Sequence, residues 1–165
     1  MIKRYEEREY HPGDFGRFLS ALINRTVEEY IESQEKKGKK FKEIEPLEIH
    51  LDVRKLPEID YLGYENQEKS HLFIKGDVSS QTGMNMKGGK VVVEGNVTGI
   101  WTGEHMKGGQ LEIKGVKGES IDFSTSAFSP GNQGTIILKG IKIWEKGKFT
   151  KEGEEMRKRG EFLYL

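Results

Sequence analysis

Four short segments of the chain carry branched apolar residues at their second and fourth positions, and each segment is followed by a glycine. The segments are Ser70-HLFIK-Gly76, Gly89-KVVVE-Gly95, Gly109-QLEIK-Gly115 and Gly134-TIILK-Gly140, with closing glycines 19, 20 and 25 residues apart. A short apolar segment of five residues, bounded by glycine, predicts a β-strand. The stretch TGMNMKGG from Thr82 to Gly89 recurs as TGEHMKGG from Thr102 to Gly109, one 20-residue period later. One short strand per period of about 20 residues predicts a parallel solenoid, with each repeat forming one coil. Stacked coils place side chains in columns. The predicted inward columns are Leu72, Val91, Leu111, Ile136 and Ile74, Val93, Ile113, Leu138. Outward, Lys75, Glu94, Lys114 and Lys139 read as a charge ladder. Phe73, Val92, Glu112 and Ile137 form a mostly apolar outward column that predicts cover over that face. The longer last spacing comes from an insertion over 116–132, an expected place for variable function. Counting back from its final glycine puts Gly131 at the position of Met106 and Asn132 at that of Lys107.

Outside the repeat the pattern changes period. Asp14 to Lys37 predicts a helix, with Asp14 as N-cap and Gly38 as the stop. Phe15, Phe18, Leu19, Leu22, Ile23, Val27, Tyr30 and Ile31 share one stripe at helical spacing. This amphipathic helix is expected beside Phe73, Val92 and Ile137, or over the first coil. Pro46 to Arg54 alternates as a strand, either an earlier coil or a strand on the flank, and Leu56 to Gln67 reads as loop. Ile141, Ile143 and Trp144 continue as strand, Thr150 to Arg159 as a short helix or turn. The apolar end Phe162-Leu163-Tyr164-Leu165 must dock, on its own chain or on a neighbouring subunit. The expected organisation is one domain over 1–165: helix 14–37, flanking strand and loop 46–69, coils 70–144 and a C-terminal extension 145–165.

Composition sharpens this picture. Fourteen of the 21 glycines lie between Gly76 and Gly140, so the glycine excess belongs to the repeat. Only 34% of the 165 residues are hydrophobic, which fits a thin core of two inward residues per strand. The 27 basic and 27 acidic residues cancel, which argues against disorder and against a broad nucleic-acid or membrane footprint. No apolar run reaches membrane-spanning length, and the start MIKRYEEREYHPGD lacks the apolar core of a signal peptide. The absence of Cys excludes disulfides, thiolate metal sites and a Cys nucleophile. A cytoplasmic protein is expected. The excess of 20 Lys and 22 Glu over 7 Arg and 5 Asp resembles thermophile composition.

The chemistry-bearing residues are few. His11, His50, His71 and His105 lack the spacing of a metal pair. Glu48, His50 and Asp52 share a strand face, read as a solvated face rather than a ligand set. His105 reads as a surface turn, and Met86 and Met106 as corner packing. An esterase would need a serine among Ser120, Ser124, Ser126 and Ser129 working with His105 or His71, and no G-x-S-x-G elbow exists. The run Gly83-MNMK-Gly88-Gly89-Lys90 approaches a phosphate loop but continues into Val91 and a strand instead of a helix. Lys36 to Lys42 is basic, without an aromatic platform, and reads as a frayed helix end. No catalytic, metal-binding or cofactor-binding group is predicted.

The paired MKGG elements carry a family resemblance. The pattern G-x6-G-x2-M-K-G-G-x-[VL]-x-[VI]-x-G over 76–95 resembles the GXGXG domain, with Gly83, Met86, Lys87, Gly88, Gly89 and Gly95 matched first. Gly99, Gly103, Met106, Lys107, Gly108, Gly109 and Gly115 follow in the next repeat. That domain forms the C-terminal part of the glutamate synthase large subunit and the C subunit of formylmethanofuran dehydrogenase, and archaeal genomes encode it also as small separate proteins. The resemblance covers about residues 70–140. It implies a right-handed parallel β-helix and a structural, non-catalytic module without cofactor. Its expected role is a scaffold or assembly subunit, with the matched residues as structural turns. Expected partners are subunits of a glutamate synthase-like complex or further copies of the chain. Proteins of this type have also been labelled esterases, so a small hydrolase using a loop Ser is the alternative, and self-association through 162–165 a third.

Overall fold

The computed structural model describes residues 12–115, 121–123 and 125–164. Helix α1 (Pro12–Lys36) and a short 3-10 turn (Phe41–Glu43) precede the strands. Four strands then run parallel: β1 (Leu47–Asp52), β2 (Ser70–Lys75), β3 (Lys90–Val93) and β4 (Gln110–Ile113). After β5 (Ile121–Phe123) and a 3-10 turn (Thr125–Phe128), strand β6 (Thr135–Leu138) joins the same sheet parallel to β4. The chain ends with β7 (Ile141–Glu145), β8 (Lys148–Phe149), α2 (Lys151–Lys158) and β9 (Phe162–Tyr164). The seven-stranded sheet has the order β1-β2-β3-β4-β6-β7-β8, while β5 pairs with β9. The architecture is a β-solenoid of about four coils, starting near residues 47, 70, 90 and 110.

The inward columns form as the alternation requires. Leu72 pairs with Val91, Val91 with Leu111 and Leu111 with Ile136; Ile74, Val93, Ile113 and Leu138 do the same. All eight are buried. Each column gains a first member from β1, Ile49 and Leu51, which are only half-buried at the end of the stack. Thus β1 is an earlier coil and not a flanking strand. The segment 56–67, expected as loop, is the return half of that coil. Ser79 N–H bonds Ile59 C=O at 3.1 Å, Gly83 N–H bonds Leu62 C=O at 2.9 Å and Lys87 N–H bonds Asn66 C=O at 2.9 Å. The same steps recur one coil on, with Gly103 on Thr82 and Lys107 on Met86.

The outward face departs from expectation. Glu94 makes no ion pair with Lys75 or Lys114 among the described residues; Lys90 instead reaches diagonally to Glu112 at 3.0 Å. Lys139 keeps the backbone register of the column, with its N–H on Ile113 C=O at 2.9 Å, and ends it. With φ +51 it opens a two-residue hairpin turn with Gly140 (φ +78), which reverses the chain into antiparallel β7. Lys146 and Gly147, also at positive φ, repeat the device before β8. Two left-handed residues in succession make the turn whose twist matches a hairpin, so here the parallel stacking ends.

Helix α1 covers the first coil, at its return half. Its N-terminus is at Pro12, so Asp14 lies in the first turn and is exposed there, where the carboxylate meets the positive helix end. At the other end Gly38 (φ +88) donates to Glu35 C=O while Lys39 donates to Gln34 C=O, a Schellman closure. The buried face is rotated from the predicted stripe. Gly16, Ser20, Ile23 and Val27 are buried; Phe15, Phe18 and Leu22 are exposed. A β-carbon on Gly16 would lie 1.7 Å from Asp60 C=O, so only glycine permits this approach. Ser20 Oγ donates to Tyr61 C=O at 2.7 Å and accepts from Gly63 N–H at 3.1 Å. Asn24 donates to Tyr64 C=O at 3.1 Å. Gly63 N–H and Tyr64 C=O thereby gain partners that a preceding coil would otherwise supply, as Leu62 C=O does for Gly83 N–H and Glu65 N–H for Met84 C=O one coil on.

The insertion and the C-terminus extend the core with a group of aromatic side chains. Phe123, Phe128, Trp144, Phe149 and Phe162 pack with ring centroids 4.7 to 6.2 Å apart. Helix α2 is capped by Thr150, whose hydroxyl accepts from Gly153 N–H at 3.0 Å. The terminal segment therefore docks on its own chain, through β9 on β5 and the buried Phe162. No helix among the described residues is long and apolar enough to cross a membrane.

Candidate functional site

The repeated Thr-Gly-x-x-Met-Lys-Gly-Gly element forms one corner of the solenoid. Three left-handed positions recur there in register: Tyr61, Gln81 and Trp101; Gly63, Gly83 and Gly103; Glu65, Asn85 and His105. Each corner thus changes direction at the same three residues, and only the middle slot is always glycine. Met86 and Met106 are buried at the corner. Gly103 faces Leu111 and Ile136, and a β-carbon at Gly134 would strike Met106. In the fourth coil the backbone places Asn132 on Met106, because Gln133 N–H bonds Met106 C=O at 2.8 Å. This corrects the register from glycine counting. One residue fewer separates Asn132 from β6 than separates Met106 from β4, so Asn132 matches Met106 and Gln133 matches Lys107. Asn132 is buried and donates to Gly103 C=O and Ala127 C=O at 2.8 and 2.7 Å. It closes by hydrogen bonding the corner that methionine closes by packing.

The remaining motif glycines serve backbone contact. At Gly95 a β-carbon would sit 2.1 Å from Gly76 C=O, and Gly115 repeats the contact against Gly95 at 2.7 Å. Gly88, Gly89, Gly108 and Gly109 carry the chain from corner to strand, with Gly89 and Gly109 at positive φ. Lys87 pairs with Glu65 of the coil below at 2.9 Å. That hydrogen bond, with lesser help from Tyr64 and the charge of Lys107, holds the Glu65 carboxyl below its ordinary range despite partial desolvation. Lys107 is exposed, with Asn85 in the slot that Glu65 fills one coil earlier. Lys90, last residue of the phosphate-loop lookalike, opens β3 and pairs with Glu112.

The structure describes part of the set that an esterase would assemble. Ser126 Oγ donates to the buried Glu104 carboxylate, and Ser129 Oγ donates to Ser126 C=O at 3.1 Å. Ser120, Ser124 and His11 lie outside the described residues. His105 is exposed on its turn. His50 stacks on Phe73 with centroids 4.8 Å apart and lies 3.9 Å from Glu48. Asp52, on the same strand face, is bound by Arg54 through both carboxylate oxygens and titrates at about 2. Among the described residues no three His, Cys, Asp or Glu side chains are placed to hold a metal ion. Thr102 Oγ1 is buried without a partner, whereas its repeat mate Thr82 donates to Ser79 C=O at 2.9 Å.

Several clefts mark the surface among the described residues. One of about 500 Å³ lies along the strand ends, between Arg54, Lys75, Asp77 and Glu94, with the stacked glycines as floor. A second of about 310 Å³ adjoins it at His50 and Phe73. A third, about 440 Å³, lies between α1 and the corner, lined by Arg17, Ala21, Asn24, Tyr64 and Glu65. There Arg17 donates to Tyr61 Oη and its guanidinium lies 4.0 Å from the Tyr61 ring centre. The pairing of Arg17 with Tyr61, 44 residues apart, carried no signal in the sequence.

Comparison with protein-family models, with curated proteins and with solved structures found no match to this chain.

Proposed function

We propose that this chain is a non-catalytic scaffold, a cytoplasmic assembly subunit of the kind that the GXGXG resemblance implies. The observation that carries the reading is how the repeated motif is used. Met86 and Met106 are buried, Lys87 is in an ion pair, and Gly83, Gly95 and Gly103 admit close neighbours. The motif residues thus build the coil, and the described serines of the longest loop bond the Glu104 carboxylate and a backbone carbonyl. A rigid stack with its motif spent on stacking is suited to holding other chains in place. On the same reading the partners are subunits of a glutamate synthase-like oxidoreductase complex, in which this chain supplies no reacting group. Purification of the tagged protein from its native cells tests this: a stoichiometric partner subunit is expected, and recovery of the chain alone would overturn it. An ester panel gives the counter-test, because hydrolysis abolished by Ser126→Ala or Ser129→Ala would make the protein a hydrolase.

A further inference from the structure

Among the described residues, three of the eight exposed large hydrophobic side chains stand on successive turns of α1: Phe15, Phe18 and Leu22 are 37%, 66% and 51% exposed. They face away from the coil that Ile23 and Val27 pack against. Exposed apolar side chains gathered on one face mark an interaction site more often than scattered ones do. Beside this stripe runs the 440 Å³ groove, and Arg17 and Ala21 on the flank of the helix belong to its wall.

Arg17 indicates what would occupy the surface. Arg25, Arg54, Arg157 and Arg159 are each paired with a carboxylate of this chain. Arg17, alone among the described arginines, has no ion pair. It is nevertheless held in place by Tyr61, through the ring face and the hydroxyl. A guanidinium stacked on an aromatic ring is pre-organised for a carboxylate and loses little freedom on binding one. We propose that the outer face of α1 and its groove dock an acidic amphipathic helix of a partner protein, with apolar side chains on Phe15, Phe18 and Leu22 and a carboxylate on Arg17. This inference deepens the scaffold reading and rests on it.

The test uses the full chain and a synthetic 18-residue helical peptide with Leu at i, i+3, i+4 and i+7 and Glu elsewhere on that face, against a twin with every Glu replaced by Lys. Fluorescence anisotropy should show the acidic peptide binding and the basic twin not. Arg17→Ala should weaken binding by roughly tenfold, the effect of losing one charge-assisted hydrogen bond, and Arg17→Glu should reverse the preference toward the Lys peptide. Phe18→Ser, at a mostly exposed site, should abolish binding with the melting curve unchanged. Binding of neither peptide, equal binding of both, or indifference to Arg17→Glu would overturn the proposal. So would a dimer of the parent chain that Phe18→Ser dissociates, because a second copy then covers the face. A native partner that stays bound to the Phe18→Ser, Arg17→Glu chain would leave the scaffold reading standing and remove this surface from it.

Discussion

Three glycines of the repeat region should respond to alanine in three different ways, because they are glycine for different reasons. At Gly95 the added β-carbon would lie 2.1 Å from Gly76 O and 2.6 Å from Asp77 Oδ1, where ordinary contact begins at 3.4 Å. The obstacle is backbone of the coil below, so two coils must part locally by about 1.3 Å. Beside this point run the Asn96 N–H to Asp77 Oδ1 bond at 2.7 Å and the Glu94 N–H to Ile74 C=O bond at 2.8 Å, and both would stretch beyond bonding distance. Overpacking strain of about 1–3 kcal/mol plus two weakened bonds at about 1 kcal/mol each gives a loss of roughly 3–5 kcal/mol. Gly140 meets nothing within 4 Å but sits at φ +78, so alanine there costs only the left-handed backbone, about 1 kcal/mol. Gly131 lies outside the left-handed region with its nearest atom at 3.8 Å. Alanine there restricts the unfolded chain and should stabilise by about 0.4–1 kcal/mol. In a chain of this length 1 kcal/mol moves Tm by about 2–4 °C. Calorimetry should therefore order the variants Gly131→Ala, parent, Gly140→Ala, Gly95→Ala, with the last at least about 6 °C below the parent. A Gly95→Ala melt within 2 °C of the parent, or above that of Gly140→Ala, would refute the stacked-carbonyl account.

Met106→Ala should cost about 2–5 kcal/mol in urea unfolding, since the side chain is buried between stacked coils. Ser20→Ala should cost about 1–3 kcal/mol, because it leaves Gly63 N–H without the partner that replaces a missing coil and leaves Tyr61 C=O with Tyr64 N–H alone. The Asp52 carboxyl, held at about 2 by Arg54, should return toward its ordinary value of 3.8 in Arg54→Gln, as read by NMR titration. Its folded-state value is depressed, so any stability it contributes is present above pH 4 and is lost as pH falls from about 4 to 2.

The inward columns were legible because branched apolar residues recur at two fixed places in every repeat, and the structure pairs each of them as the alternation requires. The first coil was hidden. Its corner shares with the next ones only Gly63, and its other two left-handed slots hold Tyr61 and Glu65, residues that give no sign of positive φ. The orientation of α1 was misread for a related reason. Its most closely approached residues are Gly16 and Ser20, one needed for space and one for two hydrogen bonds, so the apolar stripe pointed toward Phe15 and Phe18 instead. Hydrophobic periodicity reports burial by transfer and is blind to burial by close approach. Of the candidate site, the Met-Lys-Gly-Gly residues lie at a corner that recurs with the repeat. The Arg17 groove was invisible because it exists only once α1 lies across residues 61–65.

The ends of the stack bear on how such a module meets other proteins. Stacked parallel coils present backbone groups along the axis, and an open end invites further strands. Here Ser20 and Asn24 of α1 occupy backbone groups of the first coil, and β6 turns back into antiparallel β7 and the two-residue β8, with α2 beyond. Neither closure comes from the repeat itself, and each needs residues that the repeat does not supply. Growth along the axis is therefore opposed at both ends. On the scaffold proposal a partner would be directed to the sides, where the coils present the strand-end clefts on one flank and the apolar face of the capping helix with Arg17 on another. The strand-end clefts carry charges of both signs and no exposed apolar stripe, whereas the helix face joins apolar area to a groove whose carboxylate, Glu65, is already paired with Lys87 and whose cation, Arg17, is held on Tyr61. Desolvation of apolar surface around a single charge pair is what gives an interface both affinity and register. The element that ends the solenoid is for that reason also the one best equipped to attach it.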